Sequence, residues 1–212
     1  MKAAHFILSF CVVVSVFFQA AYAIADAHYD DSNLRFDEAV EAVHDKDFRK
    51  ALSIFKSLAN DDISDAQFNA ALLIKAGMGQ PRNFSEAYFW AVLSDLGGEL
   101  RASSLVSQLS KALPEEEIEM NHSVIIDRLT GQLSNGDQSA IIKYARIQSE
   151  FLTIPDYEVA YIWYSIAQAL GIKGGFEGSN DIANYLEAAD LIIAQNKSIE
   201  IFEGSSFSST TD

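Results

Sequence analysis

Apolar residues return every three to four positions along most of the chain beyond residue 33, the spacing of one face of a helix. Phe36, Ala39, Val40 and Val43 share such a face over residues 36–46, and Ala51, Leu52, Phe55 and Leu58 share another over residues 48–58. Asn60-Asp61-Asp62 ends the second helix and opens a loop. Ala66, Ala70 and Ala71, followed by Leu73 and Ile74, then predict a helix with a small-residue stripe that lets a neighbour approach closely. Gly77-Met78-Gly79-Gln80-Pro81 interrupts it, because glycine suits the positive φ of a helix C-cap and proline bars continuation. Asn83 is placed to cap the next helix, with Glu86 three residues on, and Ala87, Trp90, Ala91 and Leu93 predict a face turned back onto the first. Gly97-Gly98 closes the pair. No segment alternates with the two-residue period of a strand.

The pattern then repeats. Ala66, Ala71, Pro81, Phe84, Ala87, Trp90 and Gly98 match Ala140, Ala145, Pro155, Tyr157, Ala160, Trp163 and Gly171, at offsets of 73 or 74. Upstream, Asp47-Phe48-Arg49-Lys50-Ala51 anticipates Asn83-Phe84-Ser85-Glu86-Ala87 at an offset of 36. A period of about 36 residues is that of stacked helical pairs. Between the two copies, Ala102, Leu105, Val106 and Leu109 predict one helix, and Pro114 with Glu115 to Glu117 starts another that ends at Gly131 to Gly136. That intervening segment lacks the small-residue stripe. After the second copy, a glycine-rich turn from Gly171 to Gly178 leads to a last helix over residues 181–195, with a short one at 198–202.

The N-terminus is a different kind of segment. Lys2, the apolar run from Phe6 to Phe18 and Ala21-Tyr22-Ala23 together predict a secretory signal, residues 1–23, cleaved after Ala23. The run is shorter than the roughly 20 residues of a spanning helix, so no stable membrane insertion is expected once it is removed. Residues 24–33 read as a flexible acidic leader, 34–203 as the helical-repeat domain and 204–212 as a serine-rich disordered tail. Cys11 is the only cysteine, so beyond residue 23 the chain has neither disulfides nor thiol chemistry and must rely on its core. Removal of Lys2 takes the formal charge from −15 to −16. A surface so acidic repels nucleic acid and anionic membranes, and serves either a basic protein partner or plain solubility.

Candidate chemistry is sparse. Ser53-x-x-Lys56 has the spacing of a serine–lysine pair in penicillin-recognising enzymes, without the S-D-N or K-T-G elements that accompany it. His28, His44 and His122 lie on separate segments, and Asp61, Asp62 and Asp65 lack the spacing of a calcium loop. Gly77-Met78-Gly79 follows no strand and reads as a C-cap rather than a phosphate cradle. No catalytic, cofactor-binding or metal-ligating set is therefore expected. Trp90 and Trp163 read as packing residues, which leaves Tyr88 and Tyr161 as a partially exposed aromatic pair. N-x-S triplets occur at Asn83, Asn121 and Asn196. Asn83 and Asn196 read as helix caps and Asn121 as a mid-helix residue.

The residues Ala66, Ala71, Gly77, Gly79, Pro81, Asn83-x-x-Glu86-Ala87-x-x-Trp90 and Gly98 resemble Sel-one-like repeats, relatives of tetratricopeptide repeats. Leu113-Pro114-Glu115-Glu116-Glu117-Ile118 resembles the L-[ST]-P-E-x-I segment that often follows bacterial units of this kind. The second copy, with Ala140, Ala145, Ala160, Trp163 and Gly171, departs by having Glu150, Phe151 and Leu152 where the Gly-x-Gly turn would stand. The resemblance implies an all-α solenoid of α/α hairpins, here nine or ten helices, that binds proteins, frequently in the bacterial envelope. The expected function is an exported, non-enzymatic adaptor or regulator without cofactors. Its expected location is the periplasm, or the secretory lumen or exterior of a eukaryotic cell. Its partner would be a protein with a basic segment. The alternative is a binding protein or hydrolase for cell-wall glycan or β-lactams.

Overall fold

A computed structural model describes residues 31–205 and Phe207; the expected signal, Ala23, most of the leader and the remainder of the tail lie outside the described residues. Ten α-helices and one π-helical turn follow each other, with no strand among the described residues. The helices are α1 (residues 31–44), α2 (Phe48–Asn60), α3 (Ser64–Ala76), α4 (Phe84–Leu96), α5 (Ala102–Ser110) and α6 (Glu115–Ser134). The chain continues through α7 (Ala140–Arg146), the π-turn (Ile147–Phe151), α8 (Tyr157–Ala169), α9 (Gly175–Ala183) and α10 (Ala188–Gly204). The expected all-α helical-repeat architecture is what is found, with neighbouring helices packing in sequence order from α2 to α5 and from α6 to α9.

Local chemistry sets the boundaries. Asp47, Asn83 and Asp156 each accept a hydrogen bond from the backbone N–H three residues on, at 3.2, 3.1 and 3.0 Å, so three helices of the array start on one device. Gly77 ends α3 in the left-handed region at φ +77°, as its place before Pro81 predicts. Glu115, Glu116 and Glu117 fill the first turn of α6, where carboxylates oppose the helix dipole favourably.

Packing reveals a larger repeat than the hairpins. α4 packs on α3, α5 and α6, and α8 packs on α7, α9 and α10 in the same way. α5 and α9 begin 73 residues apart, at Ala102 and Gly175, and so do α6 and α10, at Glu115 and Ala188. The residues before the latter pair, Pro114 and Glu187, have matching dihedrals of −62°, 151° and −67°, 153°. The duplicated element is thus a four-helix unit, α3 to α6 and α7 to α10. α2 leads into the first unit as α6 leads into the second.

The core runs along the array. Ala66, Ala71 and Ala87 of the first unit and Ala140, Ala145 and Ala160 of the second are all wholly buried, which is the close approach their small side chains predict. Gly98 and Gly171 both adopt positive φ, +92° and +69°, at the end of the central helix. Trp90 is buried and Trp163 half-buried, in the packing role expected of them.

Four expectations need correction. Residues 31–33, assigned to the leader, already belong to α1. The last helices are α9 and α10, because Gly175 starts α9 against α8: a side chain there would lie 2.4 Å from the Gln168 nitrogen, so the glycine serves contact rather than a turn. Asn196 therefore sits inside α10 and caps nothing. Of the tail, Gly204 completes α10, and Phe207 is buried against the core.

Candidate functional site

Each residue singled out for chemistry can now be placed. Ser53 is exposed on α2, while the Lys56 ammonium is held 2.5 Å from Glu86 and 2.9 Å from Gln80. Burial opposes ionisation of Glu86, but the hydrogen bonds from Lys56 and Gln80 outweigh it and hold its carboxyl below the ordinary value. The lysine is thus part of a structural bridge between α2 and α4. Asp61 pairs with Arg35, Asp62 with Lys143 and Asp65 with Arg101, so the three carboxylates answer three different cations. His44 is exposed beside Asp45, and His28 lies outside the described residues.

His122 and the tyrosines form the array's buried polar ledge. The Tyr88 hydroxyl lies 2.9 Å from His122 Nε2, and both residues are buried between α4 and α6. Burial pushes the Tyr88 phenol up to about 12 and the His122 imidazole below its ordinary value. The second unit repeats the arrangement: Gln195 Nε2 donates to the Tyr161 hydroxyl at 3.3 Å. Tyr88 and Tyr161 are accordingly 3% and 9% exposed, which corrects the expectation of a partially exposed pair. A buried phenol needs a partner, and each finds one 34 residues downstream. That spacing, identical in both units, is the sequence signal that could have found the ledge. Asn121 is buried on the same ledge and donates to Ser85 at 2.9 Å, so its N-x-S triplet is no surface acceptor.

Of the clefts among the described residues, two are walled by aromatic side chains of the second unit. The larger, of about 470 Å³, lies among α6, α7, α8 and the end of α10. It is walled by Leu133, Tyr144, Trp163, Ile201 and Phe207, with Tyr144 and Trp163 edge to face at 5.4 Å. Its described lining carries no carboxylate, histidine, lysine or arginine.

The smaller cleft, of about 240 Å³, is charged and aromatic. Ser149 and Glu150 reach it from the π-turn, Tyr157 and Tyr164 from α8, and Asp181 from α9. Tyr185 follows α9 and stacks on Tyr157, with ring centroids 4.5 Å apart and an interplanar angle of 19°. Gly178 forms the floor, since a side chain there would meet the Tyr164 ring at 2.3 Å. Burial raises the Tyr164 phenol above its ordinary value, and Glu150 adds to the effect. Arg146 bridges Glu150 at 2.7 Å and the Asp95 carbonyl at 2.6 Å, which fixes the π-turn against α4. Asp181 has no ion-pair partner among the described residues.

The π-turn that builds this cleft replaces the Gly-x-Gly turn of the first unit. Six residues, 77–82, join α3 to its cap at Asn83, whereas four, 152–155, join the π-turn to Asp156. The wider helical turn takes up chain that the first unit spends in a loop, in keeping with the frequent use of π-turns at functional sites. No helix among the described residues is long and apolar enough to cross a membrane, and no group of acidic, histidine or cysteine side chains there could hold a metal ion. The chain matches no protein-family model and no curated protein.

Proposed function

We propose that this protein is an exported, non-enzymatic adaptor that binds another protein through a basic segment, in the periplasm or the secretory space. The observation that carries the reading is the charge of α8 to α10 with the connection before them. Residues 152–205 hold eight acidic and two basic residues. Asp181, Glu187 and Asp190 stand exposed and outside any ion pair among the described residues, while Lys197 is spent on Glu200. In the first unit Glu86 is answered by Lys56, Asp95 by Arg146, and Asp65 and Glu99 by Arg101, while Glu115, Glu116, Glu117 and Glu119 of α6 stand outside any ion pair among the described residues. Unanswered carboxylates on stacked helices give long-range attraction for a cationic partner and specificity against anionic ones. The likeness of Ala66 to Gly98 to Sel-one-like repeats supports the same reading, because that family is proposed here as the chain's own.

The test is affinity capture from an envelope or secretory extract with residues 24–212 as bait, at low and physiological salt, followed by direct titration of the purified partner. The expected result is one dominant protein with a lysine-rich or arginine-rich segment, whose affinity falls at least several-fold as salt rises through the range in which the screening length shrinks to about 8 Å. Affinity independent of salt overturns the electrostatic reading.

A further inference from the structure

The two units treat one position in opposite ways. In the first, Lys75 of α3 extends its ammonium to Gln108 of α5, with Nζ donating to Oε1 at 2.6 Å. Carried over by the offsets of the two copies, Lys75 becomes Ser149 and Gln108 becomes Asp181. The second unit has thus lost the lysine and gained a carboxylate where the lysine would bond. The space so vacated is the cleft of about 240 Å³ between the π-turn, α8 and α9. Around it, Ala91 is replaced by Tyr164 and Ala112 by Tyr185, so aromatic rings have been added to the walls.

From this we infer that the cleft at Ser149, Tyr164 and Asp181 takes a lysine side chain from the protein partner, in the place that Lys75 fills within the first unit. The inference rests on the adaptor reading and names the residue recognised. The volume suits one side chain rather than a drug-sized ligand, for which roughly 300–1,000 Å³ is usual. The Asp181 carboxylate takes the ammonium in a charge-assisted hydrogen bond. The Tyr164 and Ser149 hydroxyls offer further acceptors, and the stacked Tyr157 and Tyr185 rings flank the entrance, where aromatic faces attract a cation.

The test is an NMR titration of the full mature chain with a blocked Gly-Ser-Lys-Ser-Gly peptide, beside the same peptide with acetyl-lysine and with n-butylamine alone. Amide shifts confined to Ser149, Tyr164, Asp181 and their neighbours are expected with the lysine peptide only. Asp181→Asn is expected to weaken binding about tenfold, the loss of one charge-assisted hydrogen bond. Ser149→Lys is expected to abolish it, because the new side chain bonds Asp181 as Lys75 bonds Gln108. Asp181→Asn changes an exposed residue, so it remains informative should Ser149→Lys perturb the fold, which circular dichroism monitors. Equal binding of the acetylated peptide, or parental affinity in both variants, overturns the inference. So does an equal loss when Glu115, Glu116 and Glu119, remote in the other unit, are changed to glutamine. Butylamine binding as tightly as the peptide overturns the protein source and leaves a free-amine site. A captured partner that Ser149→Lys retains with unchanged salt dependence sinks the lysine pocket and spares the adaptor reading. Peptide binding at the cleft with no partner captured does the reverse.

Discussion

The two four-helix units share a backbone plan and differ in how they fill it. Where the first places Ala91 on α4 and Leu105 on α5, the second places Tyr164 on α8 and Gly178 on α9, at the same offset of 73. All four are buried or nearly so, and the Tyr164 ring lies so close to Gly178 that any side chain there would clash. One small and one large residue have exchanged sides of a helix interface. Polar pairs are exchanged likewise: Val92 and Ile125 of the first unit become Ser165 and Ser198, whose hydroxyls lie 3.4 Å apart. The plan therefore constrains the match between the two sides of an interface, in volume at Tyr164 and Gly178 and in polarity at Ser165 and Ser198, more tightly than the residue on either side.

The largest effect should come from breaking that exchange. Gly178→Leu, which copies Leu105, should destabilise the protein by about 3 kcal/mol, the upper end for overpacking, because Tyr164 cannot retreat. Adding Tyr164→Ala, which completes the first unit's pair, should recover more than half of the loss in thermal unfolding. If the double variant is no better than the single one, the two interfaces are not equivalent.

A smaller effect tests what the units have in common. Gly98→Ala and Gly171→Ala meet no atom within 4 Å, so each should cost only the left-handed backbone strain, about 1 to 2 kcal/mol. The two losses should agree within about 0.5 kcal/mol by denaturant unfolding, since the mechanism is the same. A clear inequality would show that the repeat ends differ.

The mildest effect concerns pH and separates the units. Burial holds the His122 imidazole below its ordinary value of 6.5, whereas its counterpart Gln195 does not titrate. Below that pH the unfolded chain takes up a proton that folded His122 refuses, so stability falls as pH drops from about 6.5 toward the lowered folded pKa. His122→Gln should flatten the dependence of Tm on pH in that window. The further loss at lower pH should remain, since it reflects carboxyls held below their ordinary value, such as Glu86. An unchanged profile would mean that His122 is not the group responsible.

These contrasts also show what could be read from the chain alone. Alanine, tryptophan and glycine positions disclosed the hairpins, because a wholly buried Ala66 or Ala140 tolerates nothing larger and so keeps its identity between copies. α5 and α6 did not disclose their likeness to α9 and α10, because there the constraint falls on pairs such as Tyr164 with Gly178, and neither member resembles its counterpart. The π-turn was hidden for another reason. It alters the course of the chain through a shorter connection, two residues fewer before Asp156, and Glu150-Phe151-Leu152 marked the loss of the Gly-x-Gly turn without showing what replaces it. The charged cleft depends on both, so its residues were scattered across three segments, with Glu150 and Tyr157 noted only as repeat positions. Tyr161 was noticed but misplaced, since its burial depends on Gln195, in a helix assigned only in part.

The exchange across the α8 and α9 interface also bears on how the chain avoids folding wrongly. Two similar units in one polypeptide invite each central helix to dock in the other's seat, the characteristic misassembly of repeat proteins. Here the wrong seats do not fit: α8 on α5 would press Tyr164 against Leu105, and α4 on α9 would leave Ala91 facing Gly178 across a void. One mistake costs overlap and the other a cavity, so a difference that leaves the native backbone alike still tells the growing chain which helix belongs to which unit.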